Sequence, residues 1–240
     1  MSWITTDTQG RLWRRLCGVA FVVFVTMLLA APRCTAQALR KGVHVELAVT
    51  THAVAMPDAD KADSIIVAVT HNGSVYLGID PITPAALAEK RGLFSRAEEK
   101  LYIKPDARTP YANVTKVLDA LRTAGVTAPN LLTGQQETPE PGKLLVPKGL
   151  EVRLGPPPPG AESTVVQVLN SGQPGPTLKI NNQDIPGADL ETRLRQALPN
   201  RSEKVVLLKA DGQSPYTDVV HVIDVCHSAG AKVFLVTPAT

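Results

Sequence analysis

The residues best suited to chemistry lie close together near the C-terminus: Asp218, His221, Asp224 and His227, with Cys226 among them. Carboxylates, imidazoles and a thiolate are the usual ligands of zinc and related ions, provided that they converge on one point. The spacing argues against convergence. His221 and His227 stand six residues apart, whereas neighbours on one helical face stand three or four apart. An internal repeat, set out below, matches His221 with Lys116, His227 with Arg122 and Cys226 with Leu121. Those counterparts read as two solvated positions and one core position, so no metal is expected.

Asp106 and Asp211 invite a catalytic reading, and Tyr111 and Tyr216 a partner-binding one. Each aspartate falls in a short turn, where its side chain commonly bonds nearby backbone. Each tyrosine falls at the second position of a predicted helix, where aromatics more often pack over the helix start. Asp106, Pro110, Tyr111, Asp211, Pro215 and Tyr216 are therefore read first as structural and second as partner-binding. His44 and His52 stand isolated. The chain has no Gly-x-Ser-x-Gly, His-Glu-x-x-His, phosphate-loop or dinucleotide signature. Gln173-Pro-Gly-Pro176 is a turn. Neither catalytic nor cofactor-binding residues stand out; no cofactor and no enzymatic activity are expected.

The elements that must position these residues occur twice. Lys104-Pro-Asp-Ala-Arg-Thr-Pro-Tyr111 is matched by Lys209-Ala-Asp-Gly-Gln-Ser-Pro-Tyr216 at an offset of 105. The match continues through Asp119 and Asp224, then Ala124-Gly125 and Ala229-Gly230. Upstream, Gly42-Val-His-Val-Glu-Leu47 resembles Gly149-Leu-Glu-Val-Arg-Leu154. Two modules of about 93 and 92 residues follow, over 42–134 and 149–240.

Within each module, Thr109 or Ser214 reads as an N-cap, with Pro110 or Pro215 at the first helical position. Val114, Val117, Leu118 and Leu121, and likewise Val219, Val222, Ile223 and Cys226, form the apolar stripe of an amphipathic helix. Gly125 and Gly230 end it. Strands at 101–104 and 130–133, and at 205–209 and 232–237, flank it as parallel pairs with a crossover helix. Upstream, segments 64–70 and 74–79 flank the turn His71-Asn72-Gly73, with 164–169 and 177–181 as their counterparts. A further helix is expected at 84–92 and at 187–198. The fold class is thus α+β: an N-terminal membrane or signal helix, then two small α/β modules. Each is β-β-β-α-β-α-β with a mixed sheet.

Residues 135–148, with Pro139, Pro141 and Pro147, form a stiff linker between modules 39–134 and 149–240. Pro156 to Pro159 form a rigid loop. Hydrophobic residues are 44% and charged residues 20%, which excludes wholesale disorder. The net charge is +3, but Arg11, Arg14, Arg15 and Arg33 against Asp7 already supply it within residues 1–38. The rest sums to zero, so nucleic-acid binding is not expected.

Those arginines precede an uncharged run at 16–31 and Ala36-Gln37-Ala38, the three parts of a secretory signal. The run has 16 residues, whereas a span takes roughly 17–25. Cleavage after Ala38 is the reading this length favours; a short retained anchor is the other. Either way the arginines stay inside and the remainder is exported. Cys17 and Cys34 lie in the leader, so exported Cys226 has no internal disulfide partner.

The Pro-Tyr helix start, the Asp-x-x-x-x-Ala-Gly ending and the preceding Leu-Lys-Ala-Asp strand resemble the periplasmic domain of the ExbD/TolR biopolymer-transport family. Leu178-Lys-Ile-Asn-Asn-Gln-Asp-Ile185, with the helix carrying Leu190 and Leu194, resembles that family's middle hairpin and first helix. Gly149 to Leu154 is similar to the stretch after its membrane helix. The resemblance implies a short cytoplasmic tail, one membrane helix and a periplasmic domain in the bacterial cell envelope. It also implies a ring of ExbB- or TolQ-type subunits that uses the proton-motive force to drive a TonB- or TolA-type partner.

Two features depart from the family pattern. Its membrane helix carries a proton-transferring aspartate, whereas 16–31 holds no ionisable group except Cys17. Proton conduction by this chain is not expected. The second departure is the tandem duplication. Two linked modules can fill the two places of a dimer or bind one partner bivalently, and a homodimer of the chain is a further option. The alternative function is a soluble periplasmic tandem module that docks an envelope protein or the cell wall, for instance by strand addition.

Overall fold

The computed structural model describes residues 42–95, 100–135, 145–172, 175–198 and 203–236. The leader, with its apolar run 16–31, Cys17 and Cys34, lies outside the described residues, as does most of the linker. Among the described residues no helix is long and apolar enough to cross a membrane.

The first module contributes β1 (Val54–Ala55), β2 (Ile65–Val69), β3 (Val75–Leu77), β4 (Asp80–Pro81), α1 (Pro84–Ala88), α2 (Arg91–Phe94), β5 (Leu101–Pro105), α3 (Tyr111–Thr123) and β6 (Asn130–Thr133). The second contributes β7 (Lys148–Glu151), β8 (Arg153–Leu154), β9 (Ser163–Leu169), β10 (Thr177–Ile180), β11 (Gln183–Ile185), α4 (Leu190–Ala197), β12 (Val205–Ala210), α5 (Tyr216–Ser228) and β13 (Lys232–Leu235). They form two mixed sheets, ordered β1-β7-β6-β5-β2-β3-β4 and β11-β10-β9-β12-β13-β8.

The half of each module with the strongest periodicity is also the most alike in the two copies. β5 lies parallel to both β2 and β6, and β12 lies parallel to both β9 and β13. The crossover helices α3 and α5 bury their apolar stripes completely, Val114, Val117, Leu118 and Leu121 in one and Val219, Val222, Ile223 and Cys226 in the other. Each such aliphatic side chain contributes roughly 1.5–3 kcal/mol by leaving water. Both helices stop at a glycine with positive φ, Gly125 at +96° and Gly230 at +73°. The following amides, Val126 and Ala231, donate back to the carbonyls of Leu121 and Cys226.

The upstream halves differ. β2 is apolar throughout because both of its faces are covered. Val67 and Val69 face the main core, while Ile66 joins Met56, Ala59, Tyr102 and Leu132 beneath the short 3-10 turn Pro57–Asp60. In β9 the second face is only half covered, and burial alternates along Thr164, Val166 and Val168. The helix expected at 84–92 is two short pieces, α1 and α2. The Thr83 hydroxyl caps the first by accepting from the amide of Ala86 at 3.2 Å.

The segment resembling a strand in both copies behaves differently in each. Residues 42–50 form no strand, and their one ladder contact with the sheet is an isolated parallel bridge, Val49 to Gly134. Residues 148–154 instead join the two sheets. β7 pairs antiparallel with β6 of the first module, and β8 pairs parallel with β13 of the second. Buried Val152 stands between them, and the amides of Val152 and Leu154 donate to Pro129 and Thr127. One hydrophobic core therefore runs through both modules, from Ala48 to Leu235.

Candidate functional site

The two copies of the repeat motif meet. At each helix start the first amides lack acceptors within their own helix. The sequence suggests Thr109 and Ser214 as side-chain caps; instead Pro110 and Pro215 occupy the N-cap position, and neither helix has a side-chain cap. A proline there offers no side-chain oxygen, so the acceptors come from the other module. The amide of Tyr111 donates to the carbonyl of Ser214 at 2.9 Å, and that of Tyr216 to the carbonyl of Thr109 at 2.9 Å. Ala112 donates to Gly212 at 2.9 Å, and Thr217 to Ala107 at 3.0 Å. Each bond has its counterpart 105 residues along, a local two-fold relation between the modules. Pro110 and Pro215 face each other across its centre as an antiparallel bridge. Each module completes the other's helix.

Tyr111 and Tyr216 are buried beneath this seam, and among the described residues neither hydroxyl has a hydrogen-bond partner; nor has the buried hydroxyl of Ser214. Burial pushes both phenols well above their ordinary range, with repulsion from Asp119 adding to it for Tyr111 and from Tyr111 for Tyr216. Neither can act as a base or nucleophile near neutrality.

Asp106 is buried and orders its turn. Its carboxylate accepts from the amides of Arg108 and Glu46 at 3.1 and 3.2 Å, and from the Arg108 guanidinium at 3.0 Å. Burial alone would raise this carboxyl, but the bonds from Arg108 and Glu46 outweigh it and hold it below the usual carboxylate range. Asp211 is more exposed and accepts from the amide of Gln213 at 2.9 Å. In both copies the motif's backbone joins the two modules.

The C-terminal constellation is dispersed. Cys226 lies in the core, where burial pushes its thiol up to about 12. His221 is exposed, and Nε2 of His227 lies 2.8 Å from the carbonyl of Glu151 in β7. Among the described residues no group of three or more histidine, cysteine or carboxylate side chains can hold a metal. Asp224 is buried and has a different partner: residues 51 and 52 of the first module. It accepts from the amides of Thr51 and His52 at 3.0 and 2.9 Å, and from the Thr51 hydroxyl at 2.9 Å. The His52 ring lies 3.2 Å away. His52, isolated in the sequence, is thus half of a contact spanning 172 residues. No local pattern signals it.

A further matched pair secures the opposite helix ends. Arg91 donates to the carbonyl of Thr123 at 3.1 Å, and Arg195 to that of Ser228 at 3.2 Å. Cations suit a helix C-terminus, where carbonyls lack partners.

No curated protein and no solved structure matches the chain significantly. The family model for biopolymer transport protein ExbD/TolR matches it in two segments, residues 16–136 and 140–239. That match takes in both sheets, both copies of the repeat and nearly the whole sequence, and the chain belongs to the ExbD/TolR family of biopolymer transport proteins.

Proposed function

We propose that this chain is a membrane-anchored envelope component of a transport system coupled to the proton-motive force. Its paired modules work on the periplasmic side, where they bind and transmit force to a partner. The observation that carries this reading is the extent of the family match: it covers both modules and opens at residue 16, the first of the apolar run. By family resemblance the partners are an ExbB- or TolQ-like membrane ring and a TonB- or TolA-like protein. The run at 16–31 has no carboxylate, so the proton step belongs to other subunits. The mutually capped helix starts support a further part of the reading, that one chain supplies an internal pair where single-module relatives would need two chains.

Intact mass of the protein from membrane and soluble envelope fractions, after carbonate extraction, tests this. A full-length mass confined to the membrane is expected, together with crosslinks to a ring subunit. A soluble species beginning at Leu39 would sink the anchored reading and leave a free tandem binding module.

A further inference from the structure

We infer that Asp224 and the segment Thr51-His52 form a latch that couples the docking of the lead-in, residues 42–53, to the pairing of the two modules. The lead-in begins three residues beyond the leader and has almost no ladder of its own. It is held at separate points. The buried Lys104 ammonium donates to the carbonyl of Val43 at 3.0 Å. Glu46 bonds through its amide to Asp106 and through its carbonyl to the amide of Ala107, at 3.2 and 2.7 Å. Ala48 and Thr50 bond the backbone of Gly134, and the Thr50 hydroxyl bonds that of Thr133 at 2.8 Å. All these anchors belong to the first module. The next contact crosses to α5 of the second, where Asp224 gathers two amides, one hydroxyl and one imidazole from the lead-in.

The repeat shows that this helix has diverged at the positions concerned. In α3 the counterpart Asp119 pairs with Arg122 one turn along, at 3.1 Å, on the surface. In α5 the arginine is replaced by His227, which reaches the carbonyl of Glu151 in β7, and the aspartate is turned to the lead-in. Both positions that hold a local ion pair in one copy reach backbone outside their own helix in the other, the lead-in for Asp224 and β7 of the first sheet for His227. The Asp224 carboxylate, with no lysine or arginine in its own helix, is buried beneath donors from the lead-in. Such charge-assisted bonds are about twice as strong as neutral ones. Two contacts that draw the same modules together are thermodynamically linked, so loosening either weakens the other. A displacement of the lead-in is thereby felt at the seam between Pro110 and Pro215.

Amide hydrogen exchange on the full-length protein with Asp224→Ala tests the latch without reference to any transport partner. Failure here would leave the transport reading intact, and a soluble mature form would leave the latch intact. Exchange at Thr51 and His52 is expected to rise roughly ten- to hundredfold. Exchange at the seam amides Tyr111, Ala112, Tyr216 and Thr217 should rise severalfold, while β9 and β12 keep their protection. Asp119→Ala should leave both sets unchanged. Thr51→Ala removes one hydroxyl from an exposed segment and cannot unfold the core; it should raise exchange at residues 51 and 52 roughly fivefold. Unchanged protection at 51 and 52, a rise confined to those two amides, or an equal rise throughout both modules would each overturn the proposal.

Discussion

Tyr111 and Tyr216 occupy matched places, and their unpartnered hydroxyls make a specific claim at the level of single residues. A buried donor without an acceptor destabilises, so removing the oxygen while keeping the ring should be neutral or favourable. Tyr111→Phe and Tyr216→Phe should each leave stability unchanged or raise it by about 1 kcal/mol in urea unfolding. A loss of more than that from either would mean that the hydroxyl has a partner. Asp106 and Asp224 make the opposite claim. Burial raises both carboxyls, but donated hydrogen bonds win and hold both below their ordinary range. A carboxyl depressed on folding stabilises the native state above its unfolded value of about 3.9. That stabilisation is lost as pH falls through the lower folded value. His52 is the ionisable ring against Asp224, with Glu191 nearby. Below pH 4 the wild type should lose stability more steeply than Asp106→Asn or Asp224→Asn, as followed by unfolding at stepped pH.

Among elements, β7 is the informative one. Its first half pairs with both β6 and β1, and Gly149 is in register with Leu132 on one side and Val54 on the other. A Cβ at this position would lie 2.6 Å from the Leu131 carbonyl oxygen and 2.6 Å from the Met56 sulfur. The methionine can move, but the backbone oxygen cannot do so without parting the ladder. Gly149→Ala should cost roughly 1–3 kcal/mol, with the loss of amide protection centred on β1, β6 and β7 of the first sheet. Protection lost chiefly in β9 and β12 would mean that this strand stabilises the second sheet rather than the first. The sequence aligns 149–154 with 42–47 and so reads both as the opening strand of a module. Side-chain pattern is the same in the two stretches; what differs is which sheet edge lies within reach.

At the scale of the whole molecule, the modules share one core, exchange four helix-capping hydrogen bonds, and are stitched by the strand at 148–154. Noncovalent contact of that kind should outlast the covalent link. A protease site placed within residues 136–144 and cut in the folded protein should leave two fragments that co-elute on size exclusion in native buffer and part only in denaturant. Fragments that separate at once would show that the linker holds the pair. The seam itself can be wedged. A Cβ on Gly212 would lie 3.1 Å from that of Ala112, so Gly212→Val should weaken the association of the cut fragments by more than Gly212→Ala.

The local content of this protein was legible in its sequence. The repeat, the two crossover helices with their apolar stripes, the glycine stops and the hairpins all follow from periodicity and turn chemistry, which act over a few residues. The same repeat carried the family resemblance. Partner choice was decided only by the tertiary structure. Nothing near Pro110 says that Ser214 will supply its helix with an acceptor, and nothing near Asp224 says that Thr51 and His52 will supply it with donors. Those contacts join groups more than 100 residues apart. A backbone carbonyl is the same group at every residue, so no side-chain pattern marks the one that caps a distant helix. A buried carboxylate and a surface carboxylate are likewise written with the same letter. Asp119 and Asp224 became different only when the fold laid the lead-in across one of them.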